Sequence, residues 1–93
     1  MLEKNLQKQI TSKLKSAGFF VRKISAENSK GLPDLLIIGH GEILFVEVKT
    51  LTGRLTKLQS YVIGVMQDAG AKVEVWNSVG HCERFIRATT GSD

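Results

Sequence analysis

One cysteine, Cys82, stands in the 93 residues. That excludes an intramolecular disulfide and any zinc site built on several cysteines. No apolar run approaches the roughly 18 residues that a membrane span needs. The opening segment, MLEKNLQKQI, is amphipathic and lacks the charged stretch and apolar block of a secretory leader, so the expected location is the cytoplasm. Repeats, linkers and low-complexity tracts are all missing. The length leaves room for one domain, expected over residues 1–88, with 89–93 as a flexible tail. Nor does one sign of charge dominate: 13 basic and 9 acidic side chains give a formal +4. Such a balance suits a polyanionic partner without establishing one, since it bears on association rather than fold. With 42 % apolar residues a core can form. A domain this short still buries a modest share of its surface and often gains stability by pairing with a second copy.

Leu2, Leu6, Ile10 and Leu14 recur every fourth residue among Lys and Gln, which predicts a helix with a narrow apolar stripe. Gly18 is its expected C-terminal cap. Phe19–Ile24 reads as a strand, and Ser25–Gly31 as a polar loop. Two strands follow, Asp34–Ile38 and Ile43–Lys49, joined by the hairpin turn Gly39-His40-Gly41-Glu42. Both are apolar at nearly every position, as strands covered on two faces would be. Thr56-Lys57-Leu58-Gln59 matches the S/T-x-x-E/Q capping box. The helix it opens has Leu58, Val62, Val65, Met66 and Ala69 on one side, and Gly70 ends it. Val73 and Val75 mark a fourth strand, and Val79, Cys82, Phe85 and Ile86 a final helix. The expected class is mixed α/β (α+β), in the order α-β-β-β-α-β-α, with helices flanking a mixed sheet.

The informative residues emerge from hairpin arithmetic. With the turn centred between His40 and Gly41, facing residues have numbers that sum to 81. Asp34 and Glu47 then lie opposite each other on one face, with Cβ atoms roughly 4.5–5.5 Å apart. Lys49 shares the parity of Glu47 and projects from the same face. Facing carboxylates destabilise a hairpin, unless a hard cation such as Mg2+ or Mn2+ bridges them. Carboxylates, a divalent cation and a nearby ammonium are what phosphodiester hydrolysis requires. The competing reading leaves Asp34 as the start of a strand after Pro33, and Glu47 with Lys49 as a surface ion pair worth about 0–1 kcal/mol. A one-residue shift of the turn would move Asp34 to the other face, so the reading depends on register.

Gly31-Leu32-Pro33-Asp34-Leu35, followed after the hairpin by Glu47-Val48-Lys49, resembles the signature of the PD-(D/E)xK nuclease superfamily. Over about residues 1–88 the chain is similar to the virus-type replication-repair nuclease (VRR-NUC) family in its stand-alone bacteriophage form, which would place it in a bacterial host cytoplasm. The resemblance implies a restriction-endonuclease-like core and a metal held by Asp34, Glu47 and the backbone carbonyl of Val48. It implies Lys49 as the catalytic lysine. Glu3 resembles an acid that related resolvases direct toward the metal, and an acid favouring a helix N-terminus is the alternative. Gln59 resembles a glutamine placed near such sites. The capping box accounts for it equally well, and both roles coexist only if that helix starts beside the metal.

The expected activity is therefore a Mg2+- or Mn2+-dependent endodeoxyribonuclease acting on structured DNA, including four-way (Holliday) junctions, as a homodimer. The alternative is a non-catalytic nucleic-acid-binding module of the same fold. Lys23, Lys30, Arg54 and Lys57, with Arg22, are candidate phosphate contacts; Ser25, Asn28 and Ser29 are candidate backbone-bonding residues. His40 lies at the far end of the hairpin and takes no part. His81 and Cys82 lack metal-ligand spacing, Cys82 reading as a small core residue. Trp76 and Tyr61 are expected to pack rather than stack on bases.

Overall fold

The computed structural model describes residues 2–25 and 30–91. Its elements are α1 (Glu3–Ser16), β1 (Phe20–Lys23), β2 (Leu35–Gly39), β3 (Glu42–Val48), α2 (Lys57–Asp68), β4 (Val73–Trp76) and α3 (Val79–Thr90). The strands form one sheet in the order β1-β2-β3-β4. The first two pairings are antiparallel, and β3–β4 is parallel, its crossover supplied by α2. Asn28 and Ser29 fall outside the described residues.

The register is the one the turn dictates. Leu35 faces Val46, Ile37 faces Leu44, and Gly39 faces Glu42, each pair summing to 81. His40 and Gly41 both hold positive φ, 50° and 81°, the requirement of a two-residue type I′ turn whose twist matches the strands. Leu35, Ile37, Leu44, Val46 and Val48 therefore share one face, and all are buried. Leu6, Ile10 and Leu14 of α1 cover it together with Cys82, Phe85 and Ile86 of α3. Phe85 packs against Phe19 and Trp76 at ring-centroid distances of 5.4 and 5.5 Å. An ion pair, Lys13 Nζ to Glu83 Oε2 at 3.4 Å, links the two helices at the surface. Each fully buried aliphatic side chain contributes about 1.5–3 kcal/mol relative to exposure.

α1 ends where the sequence places its stop. Gly18, at φ +90°, follows the C-cap Ala17. The Phe19 N–H donates to Leu14 O and the Gly18 N–H to Lys15 O, a Schellman closure that turns the chain into β1.

The second face departs from expectation. It is only partly covered, because α2 is a single helix over a four-stranded sheet. Phe20, Ile38 and Ile43 form one cross-strand row on that face, and all three are exposed, Ile43 by 60 %. The α2 face turned inward carries Ile63, with Val62 and Met66 half-buried, whereas Leu58, Val65 and Ala69 lie in solvent. Tyr61, expected to pack, is 69 % exposed. At the C-terminus α3 continues through Thr89 and Thr90, where a tail from residue 89 was expected. Their hydroxyls donate to Phe85 O and Ile86 O and lie within the last turn. No described helix is long and apolar enough to cross a membrane.

Candidate active site

Strand alternation puts Phe45 and Glu47 on the face opposite the core, and Lys49 continues that parity just past the end of β3. Asp34 sits one residue before β2, opposite Glu47 by continuation of the Leu35–Val46 pairing. Two hydrogen bonds hold it. Its backbone carbonyl accepts from Ile24 N–H at 2.8 Å, and its Oδ2 accepts from Val48 N–H at 2.8 Å. The sequence reading assigned Val48 a carbonyl role and missed this N–H. Nothing in the side-chain pattern signals it, because it depends on where the strand end leaves a backbone donor.

Glu47 is the one buried charged side chain among the described residues, 2 % exposed. Lys49 Nζ lies 3.5 Å from its Oε2 and 3.6 Å from Glu3 Oε1. α1 thus brings its first-turn acid, 44 residues away in sequence from Glu47, to the same point. Glu3 occupies both of its expected places at once, in the first turn of a helix and beside the cluster. Gln59 Nε2 donates to Glu47 Oε2 at 3.3 Å. The same amide's Oε1 accepts from Thr56 N–H at 2.9 Å, and Gln59 N–H donates to Thr56 Oγ1 at 3.0 Å. One side chain thus closes the capping box and reaches the buried acid, because α2 starts beside Glu47. That placement needs Gly31, at φ +86°, where a Cβ would fall 2.7 Å from Val62 Cγ2; α2 is seated directly on the loop that leads to Asp34.

Electrostatics reflect this crowding. Burial first, then the Asp34 charge and a smaller push from Glu3, hold the Glu47 carboxyl up at about 7 from its ordinary 4.5, with Lys49 pulling the other way. Glu3 and Glu47 thus flank the Lys49 ammonium while the Asp34 charge acts on Glu47, which leaves a partly dry point short of positive charge. A hard divalent cation suits that deficit and these oxygen donors. No group of three His, Cys, Asp or Glu residues converges as a ready metal cage among the described residues. Asp34 and Glu47 with a backbone carbonyl remain a fitting donor set for Mg2+, which commonly binds one or two carboxylates and keeps water or substrate oxygens as its other ligands.

Lys23 ends β1, Lys30 precedes Gly31, Arg54 lies in the loop after Lys49, and Lys57 opens α2. All four are exposed, and none is ion-paired among the described residues. Arg22 lies over the Phe20 ring at 5.2 Å. His40, at the other end of the hairpin, has its Nε2 2.9 Å from Ala17 O and packs against Phe19. His81 Nδ1 accepts from Asn77 N–H ahead of α3. Cys82 is buried, its thiol pushed up to about 11 by that burial, an inert core residue. A hollow of about 580 Å3 near His40, Glu42 and Lys72 contains none of the acid cluster.

No curated protein matches the chain. A solved structure described as a VRR_NUC domain superposes with a TM-score of 0.78 at 32 % identity, covering 91 % of this chain and 94 % of that one. The family model for the VRR-NUC domain matches residues 2–80, a span containing all of Glu3, Asp34, Glu47, Lys49 and Gln59. By sequence and by fold, the chain belongs to the VRR-NUC domain family of nucleases.

Proposed function

We propose that the protein is an endodeoxyribonuclease that hydrolyses phosphodiester bonds in structured DNA with Mg2+ or Mn2+. The observation that carries this reading is the convergence of Glu3 from α1, Asp34 from ahead of β2 and Lys49 from the end of β3 around the Glu47 carboxylate, which is buried against its own electrostatic preference. Burying an acid beside two further carboxylates costs stability that Lys49 and Gln59 offset only in part, and a bound cation would offset the rest. Asp34, Glu47 and the Val48 carbonyl would hold the metal. When bound, it would lower the pKa of a water and offset charge on the phosphate. Lys49 supplies a fixed positive charge, restrained by Glu47 and Glu3, toward the attacking water or the phosphate oxygens. The Val48 N–H and the Gln59 amide orient the two carboxylates.

The working form in this reading is a cytoplasmic homodimer on branched DNA such as four-way junctions. Two symmetric cuts need two centres at fixed separation, and a two-fold pair supplies them. The exposed Phe20, Ile38 and Ile43 row, with Leu58, Tyr61 and Val65 on α2, is apolar surface that such a pairing would cover; α3 spends its apolar side chains on the core. The test is incubation of supercoiled plasmid, linear duplex and a four-way junction with Mg2+ or Mn2+, with and without EDTA, beside light scattering over a dilution series. Metal-dependent cutting, lost in Asp34→Ala and preferring the junction, is expected. Wild-type turnover in Asp34→Ala or in excess EDTA overturns the chemistry. A monomer that cuts linear duplex as well as junctions overturns the substrate and assembly while leaving the chemistry standing.

A further inference from the structure

The amide of Gln59 is chemically two-faced, and only one orientation serves the site. With Nε2 toward Glu47 Oε2 it donates to a carboxylate; flipped, it would set an oxygen against an oxygen. The choice is made outside the site. Thr56 N–H donates to Gln59 Oε1 at 2.9 Å, which occupies the carbonyl end and leaves the NH2 end at Glu47. Thr56 Oγ1 accepts from Gln59 N–H at 3.0 Å and fixes the backbone from which that amide extends. Capping boxes ordinarily satisfy free N–H groups at a helix start and end there. Here the N3 side chain of the box is shared with a buried acid 12 residues earlier, so one residue serves both helix and carboxylate.

We propose that Thr56 is a positioning residue of the site, acting through Gln59 to set the orientation of the Glu47 carboxylate and hence its affinity for a divalent cation. The metal part rests on the function proposed above; the amide orientation does not. Thr56 itself is exposed and contacts neither acid. Its influence passes through two hydrogen bonds to Gln59 and one from Gln59 to Glu47. Removing the hydroxyl leaves Gln59 N–H to water and loosens the first turn of α2, so the Thr56 N–H, which the substitution keeps, no longer holds the Gln59 carbonyl at a fixed place. Serine keeps the oxygen and the geometry.

Two measurements test this. In the metal-free protein, 15N relaxation of the Gln59 side-chain NH2 is expected to show a rigid amide in wild type and Thr56→Ser, and a mobile one in Thr56→Ala. An equally rigid amide in Thr56→Ala overturns the positioning claim, whatever the metal does. Calorimetric titration with Mn2+ then measures the consequence. Thr56→Ala should weaken binding by about tenfold, the low end of what supporting partners of metal ligands contribute. Thr56→Ser should restore it, and Thr56→Ala should add nothing in a Gln59→Ala background. An equal loss in both backgrounds, or a lowered Tm with unchanged Mn2+ affinity, reduces Thr56 to a helix cap and overturns the proposal. Wild-type protein that takes no Mn2+ overturns the metal link and the proposed chemistry together, while the relaxation data still decide the amide.

Discussion

β3 does two jobs in alternation. Leu44, Val46 and Val48 point into a closed layer under α1 and α3, whereas Phe45, Glu47 and, just beyond the strand, Lys49 belong to the face that α2 covers only in part. On the first face those three side chains are fully buried among apolar neighbours. On the second, an acid is 2 % exposed beside two other carboxylates, while Ile43, two pleats away, lies largely in solvent. The first arrangement is what stability selects, and the second is not. The difference teaches that the core and the proposed site are separated here by one residue of register, so a single slip would exchange them. The I′ turn at His40-Gly41 is what prevents the slip.

The largest expected effect tests this separation directly. Asp34→Ala, Glu47→Ala and Lys49→Ala should each lower DNA cleavage by on the order of 10²–10³-fold, as loss of a preorganised charge-stabilising group does, with circular dichroism unchanged. Leu44→Ala should do the reverse: it opens a cavity in the closed layer and costs about 2–5 kcal/mol of stability. The folded fraction should retain turnover at low temperature. Should Glu47→Ala unfold the protein, or Leu44→Ala remove activity without shifting the melt, the two faces are not functionally distinct.

Next in size is a pH effect with opposite signs in the absence and presence of metal. Glu47 has a folded pKa of about 7, above its ordinary 4.5. The associated stability is therefore fully present below about pH 4.5 and is lost as pH rises through 7. In EDTA the wild-type melt should fall across that window, by on the order of 1–3 kcal/mol. Glu47→Gln, which stays neutral, should show no such decline from this position and should melt higher at pH 8. Metal binding needs the ionised acid, so Mn2+ affinity and cleavage should both rise through pH 7. A wild-type melt in EDTA that tracks Glu47→Gln from pH 5 to 8 would show that burial imposes no cost on this acid.

Much of this is legible in the sequence, for a physical reason. A two-residue turn fixes register, and register fixes which residues share a face; Asp34, Glu47 and Lys49 follow from counting. The Gly18 stop and the Thr56–Gln59 box are equally local, so their positions hold. What could not be read depends on how far one element extends over another. The inward face of α2 centres on Ile63, not Leu58 or Val65, because the seating of the helix on the sheet, not its own periodicity, decides which side turns in. Tyr61 is exposed for the same reason. The Val48 N–H to Asp34 bond needs a strand end in three dimensions, and the shared use of Gln59 needs the distance between α2 and β3. Thr89 and Thr90 read as tail residues, yet their hydroxyls bond back into α3.

The smallest expected effect concerns the rim. Arg54 and Lys57 are exposed, unpaired among the described residues, and lie in the segment that connects Lys49 to Gln59. Lys8, also exposed, lies mid-way along α1, the helix that covers the closed layer. If the partner is DNA bound over the acid cluster, phosphates lie nearer the first pair. Each contact neutralised releases counterions, so losing one should lower the salt dependence of binding by about one unit of log K against log salt, with only a modest fall in affinity at fixed salt. Fluorescence anisotropy with a labelled junction, in EDTA so that nothing is cut, reads that slope from titrations at several salt concentrations. Arg54→Ala and Lys57→Ala should flatten it, Lys23→Ala and Lys30→Ala should do so where phosphates reach the β1 end, and Lys8→Ala should leave it as in wild type. Equal slopes for all five variants would mean that the +4 charge attracts DNA as a whole, without a preferred face. A flattened slope for Lys8→Ala alone would put the DNA on the α1 side and detach it from the cluster.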